Sequence, residues 1–375
     1  MPRRGYDEVT LLTGFPSFGA RRMASQVLAD EPRALVYAVV AAAEAAEAQR
    51  ALDELPAGQR ERVVLVEGDA AAMDLGLSGA EFREVAGDVD RIHHMAQVAE
   101  PTTDRATAER VNVRGTREVL ELARAAPALK NLVVHSTAWV AGDRTGLVLE
   151  DELEAGQGFR NVVEETHARA ERLARAAMRR TPVCVVRPTI VVGDSKTGEI
   201  ARFDGPYLLM LLIVTSPAEL AVPMPVRGDA PLHLVPVDYV VRAAHAIGRD
   251  PRAPGRTFHL GDPNPLTARE TFDLVARAGG KRGPRGFIPS NLTRALLRAP
   301  GLERFAKSPR AFVEQLATPV RFDARNTDDV LAGTGIVCPP FESYVDELVA
   351  YVRDRVRERR QKRESAAAEV DDPLG

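Results

Sequence analysis

The 375-residue sequence predicts an α/β protein: a doubly wound parallel sheet followed by a smaller C-terminal lobe. Three observations carry that expectation. Short, β-branched, continuously apolar runs recur through the first half, and longer alanine-rich helical patterns separate them. Strands covered on both faces read as unbroken apolar runs, which is the mark of a parallel sheet. A glycine-containing turn joins the first strand to the first helix, and after Pro188 the rhythm loosens into Gly- and Pro-rich sequence.

Taken in order, Val9-Thr10-Leu11-Leu12-Thr13 is the first strand, with a helix from about Gly19 to Asp30. Arg33 to Val40 is the second strand, leading into the helical run Ala41 to Leu55. Arg62 to Glu67 is the third, closing on Gly68-Asp69, and Ile92 to Ala96 is the fourth. A helix from about Asp104 to Ala125 precedes the fifth strand, Asn131 to Ser136. The helix from about Val162 to Arg179 precedes the sixth, Pro182 to Arg187. This alternation suits the Rossmann-type nucleotide-binding layout. Further on come an apolar run (Tyr207 to Val214), a helix (Val237 to Gly248), a strand (Thr257 to Leu260) and a helix (Ala268 to Ala278). Residues 288–350 read as irregularly helical. The expected division is a sheet domain over 8–192 and a substrate lobe over 193–352, interleaved with the last sheet elements at 237–262. A basic helix end and disordered tail over 353–375 complete it.

Composition narrows the classes. Fifty Lys and Arg against 53 Asp and Glu give a net charge of −3, which weighs against a nucleic-acid partner. Two cysteines, Cys184 and Cys338, make neither a disulfide framework nor a cysteine metal cluster. His93 and His94 are adjacent on a strand and point to opposite faces, and no spacing matches a zinc motif, so no metal is expected. No Gly-x-Ser-x-Gly elbow occurs. No run approaches the ~20 apolar residues of a membrane span, and the N-terminus lacks a secretory pattern, so a cytoplasmic location is expected. Asn291-Leu292-Thr293 fits a glycosylation sequon by chance.

The first strand runs into Thr13-Gly14-Phe15-Pro16-Ser17-Phe18-Gly19-Ala20-Arg21-Arg22. A glycine turn there sets backbone N–H groups and a helix dipole against a pyrophosphate. The full fingerprint uses three glycines, for the turn, the close approach to phosphate and the helix–strand packing. Gly14 takes the first role, Ser17 stands at the second and Ala20 at the third, with Gly19 one place early. The spacing Gly14-x4-Gly19 also brushes the phosphate-loop pattern, but Ala20-Arg21 replaces its Lys-Ser/Thr. The second strand ends Val39-Val40-Ala41, with neither the acid that binds an NAD ribose nor an Arg for an NADP 2′-phosphate. Arg21 and Arg22 can reach a 2′-phosphate or simply form an exposed helix face; Asp69 can meet an adenine edge or close a plain turn. The candidate cofactor residues are Gly14, Ser17, Gly19, Arg21, Asp69 and Pro188, for NADP or NAD held weakly or no longer held.

Six pieces occur in a telling order: Thr13-Gly14, Gly68-Asp69, Asn112-Val113-Arg114-Gly115-Thr116, Ser136-Thr137-Ala138-Trp139-Val140-Ala141-Gly142, Val186-Arg187-Pro188-Thr189, and His233-Leu234-Val235-Pro236-Val237-Asp238. Over roughly residues 8–262 the chain resembles the extended short-chain dehydrogenase/reductase family, and within it the fatty acyl-CoA reductases and carrier-protein thioester reductases. The resemblance implies hydride transfer between a nicotinamide and a carbonyl or alcohol. A Tyr acts as acid/base, a Lys follows four residues later, and a Ser or Thr ends the fifth strand. Positions i and i+4 share a helix face, so the cation lowers the Tyr pKa and holds the ribose. Thr137 matches the Ser/Thr. The segment Asn161-Val162-Val163-Glu164-Glu165-Thr166-His167 aligns with Asn-x-Tyr-x-x-x-Lys, yet Val163 stands at the Tyr and His167 at the Lys. His167 titrates near neutrality and is a substitute acid/base candidate. None of the six tyrosines (Tyr6, Tyr37, Tyr207, Tyr239, Tyr344, Tyr351) has a Lys four residues on.

The departures Ser17, Ala20, Ala41, Val163 and His167 all fall at phosphate, ribose or proton transfer, while the strands keep their apolar patterns. The expectation is a non-catalytic or chemically altered member that keeps the fold for nucleotide or acyl-ligand binding or for a protein partner. The alternative is an active NAD(P)-dependent oxidoreductase on an acyl thioester, aldehyde or other carbonyl. The run Tyr207 to Val214 reads as a buried lobe helix, or else as an acyl-pocket wall or membrane-surface contact. Arg353 to Lys362 reads as a solvated helix end, or else as a contact for acidic lipid or an acidic partner.

Overall fold

The computed structural model describes residues 5–217, 222–287 and 309–370. The sequon at Asn291 and the tail beyond 370 lie outside the described residues, as does the stretch 288–308.

Seven strands form one parallel sheet: β1 (Glu8–Thr13), β2 (Ala34–Val40), β3 (Val63–Glu67), β4 (Arg91–His94), β5 (Asn131–His135), β6 (Val183–Pro188) and β7 (Thr257–Leu260). Their spatial order is β7-β6-β5-β4-β1-β2-β3. The order reverses between β1 and β4, and a doubly wound sheet binds its ligand at the carboxyl ends beside such a reversal. There Thr13 pairs in register with His94 on one side and Val39 on the other.

Every residue of β1 and β2 is buried, because both sheet faces are covered. The period of two divides them: Leu12, Val36, Ala38 and Val40 enter one apolar cluster, and Val9, Leu11, Leu35, Tyr37 and Val39 the other. On the first face lie α1 (Phe18–Asp30), with Met23, Ala24, Val27 and Leu28 inward, and later α6 (Val237–Arg249), which packs on α1. Between them in the chain come α2 (Ala45–Asp53), α3 (Gly79–Asp88), α4 (Gly115–Ala125) and α5 (Val162–Ala177). Helix α3 was not anticipated, although its start carries a readable signal. The Ser78 hydroxyl accepts from the Glu81 amide at 3.3 Å, and the Glu81 carboxylate accepts from the Ser78 amide at 2.9 Å, a reciprocal capping box.

Two compact units result: Met1–Val191 with His233–Pro263 and Thr318–Cys338, and Val192–Leu232 with Asn264–Ala317 and Pro339–Gly375. The segment Thr318–Cys338, expected in the smaller lobe, thus belongs with the sheet. Its strand Val320–Phe322 pairs with Gly146–Val148, and the buried His233 Nε2 donates to the Val320 carbonyl at 2.9 Å. In the smaller unit the helices Pro206–Thr215, Ala268–Ala278 and Val345–Val370 pack on one another. Tyr207 through Leu211 and Ile213 are buried there, so this apolar run is core. Among the described residues no helix is long and apolar enough to cross a membrane. Instead of fraying at 353, a single helix carries the basic run Arg353 to Lys362 on to Val370.

Candidate functional site

The site begins where β1 stops. Gly14 has φ +85°, and a Cβ built on it would lie 2.7 Å from the Ala96 nitrogen and from the Met95 carbonyl group. Glycine is required here on two counts: the left-handed backbone and the loop after β4 crossing directly over it. Gly14→Ala is expected to lower stability by about 1–3 kcal/mol. Urea unfolding checks this, and a midpoint equal to the parent's would refute it. Next, Ser17 donates its amide to the Gly14 carbonyl at 2.9 Å and caps α1, but its exposed hydroxyl makes no capping bond. A 13-residue helix therefore starts with leading amides that no side chain caps, a donor set suited to an anion. Ala20 is fully buried and takes the packing role of the third glycine, while a Cβ on the half-buried Gly19 would meet Met95 Cε at 3.3 Å.

Behind the turn runs an ordered chain of hydrogen bonds. Thr13 Oγ1 accepts from the Met95 and Ala96 amides, each at 3.1 Å, and so donates its own proton to His94 Nδ1 at 2.8 Å. His94 must then donate from Nε2 to Thr116 Oγ1 (3.2 Å), which donates to the Asn112 carbonyl (2.7 Å). Each partner has one compatible role, so His94 is neutral. Burial pulls its pKa to about 4. His93 faces the opposite side of the sheet, as expected, and its Nδ1 meets His135 Nε2 at 3.2 Å.

The positions expected to transfer protons, Val163 and His167, lie at the start of α5. Asn161 caps the helix, its Oδ1 accepting the Glu164 amide at 3.0 Å. Val163 is 5% exposed, and its carbonyl accepts Thr166 Oγ1 at 3.1 Å. One turn on, His167 is buried and donates from Nε2 to the Val98 carbonyl at 3.1 Å. Asn112, in a π-turn (Glu109–Arg114) before α4, grips the same residue from both sides: its Oδ1 accepts the Val98 amide at 2.9 Å and its Nδ2 donates to the Val98 carbonyl at 3.3 Å and to Thr166 Oγ1 at 3.0 Å. Burial, partly opposed by the Val98 carbonyl and Glu171, pulls the His167 pKa to about 4. It is therefore neutral at pH 7, its Nε2 proton committed and its buried Nδ1 without a hydrogen-bond partner. Such a group supplies neither the phenol of a Tyr nor the cation of a Lys.

Thr137 follows β5, half-buried, with Oγ1 accepting the Trp139 amide at 3.3 Å. Its neighbour Ser136 donates to Glu171 at 3.1 Å, and Glu171 is forked by Arg187 through Nε and Nη2, the two side chains being fully buried. Asp69, just after β3, accepts the Ala71 amide at 2.8 Å and pairs with Arg110 at 2.9 Å. Arg21 pairs with Glu54 at 3.1 Å, and Arg22 lies 4.8 Å over the Phe18 ring. Pro188 ends β6, half-buried. The fold thus gathers His167 and Asn112 on Val98, with Thr166 linking Asn112 to the Val163 carbonyl, and brings Gly14, Thr13 and His94 together at Met95 and Ala96. Elsewhere, Tyr37 donates to Asp88 at 2.8 Å, Tyr351 to the Ile200 carbonyl at 3.4 Å, and the buried Tyr207 hydroxyl accepts the Gly193 amide at 2.7 Å. Among the described residues no group of three or more His, Cys, Asp or Glu can hold a metal. The clamp by Asn112 was missed, although Asn112 stands in one of the six telling pieces.

This sheet, glycine turn and α5 register define an extended short-chain dehydrogenase/reductase fold. Within it the chain belongs to the male sterility protein family, whose NAD-binding model matches residues 12–244. It is 30% identical to a glycine betaine reductase of Emericella nidulans, over 58% of this chain and 17% of that protein. To an isonitrile lipopeptide synthase of Streptomyces coeruleorubidus it is 28% identical, over 92% of this chain and 25% of that protein. It therefore spans a quarter or less of these curated relatives. Among solved structures it is similar to the terminal R domain from the myxalamid PKS-NRPS biosynthetic pathway, with a TM-score of 0.78 and 26% identity, covering 94% of this chain and 92% of that one.

Proposed function

We propose that the chain is a dinucleotide-binding member of this family that has given up the Tyr–Lys proton relay. The observation that carries the reading is His167: buried, neutral, and donating its only proton to the Val98 carbonyl, with Val163 four residues before it. A bound nicotinamide supplies a hydride acceptor or donor. Around it, Gly14 and the uncapped amides of α1 suit the pyrophosphate, with Ser17 at the close-approach position reducing affinity. His167 spends its proton on the Val98 carbonyl and keeps Nδ1 buried, so it offers the ribose no donor where a Lys would. Thr137 keeps a hydroxyl proton to point at a carbonyl oxygen, so a ligand can still be oriented at the end of β5. Likeness to the terminal R domain of a PKS-NRPS pathway supports an acyl ligand and an acyl-carrier partner.

Titration with NADH and NADPH, followed by fluorescence or calorimetry, is expected to show saturable binding below millimolar. Turnover with acyl-CoA or long-chain aldehydes is expected to stay at background, and high wild-type turnover would overturn the reading in favour of an oxidoreductase. In the double variant Val163→Tyr/His167→Lys, with its fold checked by circular dichroism, carbonyl-dependent NAD(P)H oxidation is expected to appear.

A further inference from the structure

We infer that the adenosine end of this site selects a free ribose 2′-hydroxyl and excludes a 2′-phosphate, so that the dinucleotide is NAD(H) rather than NADP(H). This rests on the binding reading above and deepens it.

The ends of β2 and β3 are pinned side by side: Val40 and Glu67 are in register, and the Gly68 amide donates to the Val40 carbonyl at 2.9 Å. After Val40 the chain passes the half-buried Ala41 into a 3₁₀ turn, Ala42–Glu44, and then α2. From Ala41 to Gln49 it carries no cation and two carboxylates, Glu44 and Glu47. Asp69 follows the neighbouring strand. Partial desolvation of this exposed carboxylate, then the charges of Glu47 and Asp69, push Glu44 above its ordinary range, so both neighbours act on Glu44 at this edge.

An acid just beyond the second strand accepts a ribose hydroxyl, whereas a 2′-phosphate needs a cation in that place. Each arginine nearby is already engaged. Arg21 pairs with Glu54 at 3.1 Å, Arg110 with Asp69 at 2.9 Å, and Arg50 Nε donates to the Ala46 carbonyl at 3.3 Å. Arg22 lies over the Phe18 ring. A dianionic phosphate would face carboxylates, with Arg21 and Arg110 held by acids, Arg50 bonded to a backbone carbonyl and Arg22 laid on an aromatic ring. A hydroxyl would find an acceptor.

Calorimetric titration of the full chain with NAD⁺, NADP⁺, NADH and NADPH tests this by binding alone. The expected result is at least tenfold tighter binding of NAD(H), a ratio that shrinks in Glu44→Gln and reverses in Glu44→Arg. Glu44 is exposed, so both variants should fold like the parent, and circular dichroism checks that. Equal or tighter binding of NADP(H) by the wild type overturns the selectivity while leaving the binding reading intact. A ratio unchanged in Glu44→Gln overturns the role of Glu44. If neither dinucleotide binds the wild type or either variant, the binding reading falls, and the selectivity with it.

Discussion

Acidification from pH 7 to about 5 is expected to unfold the sheet unit cooperatively. Burial is the largest cause of depressed pKa values at five of its histidines: about 4 at His94, His167 and His245, and about 3 at His135 and His259. Folded, each stays neutral well below the ordinary 6.5; unfolded, each takes a proton there. The unfolded chain therefore binds more protons between pH 6.5 and 4, and stability must fall as pH falls through that window. At about 1.4 kcal/mol per pKa unit, each such histidine costs the fold about 2 kcal/mol by pH 5 and about 3 kcal/mol by pH 4. By pH 5 the five together remove about 10 kcal/mol, which matches the roughly 5–15 kcal/mol that holds an ordinary domain. Urea midpoints at pH 7, 6 and 5.5 should drop steeply, with several protons taken up on unfolding. Acid unfolding delayed to the carboxylate range, near pH 3–4, would sink the idea.

The second large effect concerns Arg187. Its Nε reaches both Glu171 oxygens, at 3.1 and 2.9 Å, and its Nη2 reaches one at 2.6 Å. Nη2 also donates to the Glu152 carbonyl at 2.8 Å, and Nη1 to His259 Nε2 at 3.1 Å, so His259 donates from Nδ1 to the Asp323 carbonyl at 2.7 Å. Burial alone would raise the Glu171 carboxyl, but Arg187 and Arg175 pull it below its ordinary range. The pair ties β6 to α5, and through Ser136 it backs the position of Thr137. Removing one partner of a fully buried pair costs about 3–5 kcal/mol, and Arg187→Met should fall near the lower end because Arg175 remains beside Glu171 at 2.8 Å. Replacing both, Arg187→Met/Glu171→Leu, should recover most of the loss, since an apolar pair leaves no buried charge. Chemical denaturation of the three variants reads the cycle. A loss under 1 kcal/mol in the single variant would show that the pair does not anchor this region.

Much of the architecture was visible in the chain because strands covered on both faces must be apolar without interruption. Val9 to Thr13 and Thr257 to Leu260 announce themselves this way. The order of the strands did not, since it depends on which face each crossover takes. Thr318–Cys338 escaped because three residues, Val320–Phe322, make a strand only against Gly146–Val148. At the site, Val163 and His167 could be read four apart because one helix sets their common face. The fate of Arg21 could not: its partner Glu54 lies 33 residues away, just past the end of another helix.

The amino-acid order by itself thus determined the sheet, the glycine turn and the four-residue spacing of Val163 and His167, because each depends on local periodicity or fixed spacing. Only the tertiary structure decided what these two residues do. Folding removes water from His167 and sets it against the Val98 carbonyl, and desolvation then holds it neutral. A histidine that titrates near neutrality in water thereby becomes a clamp on the loop after β4.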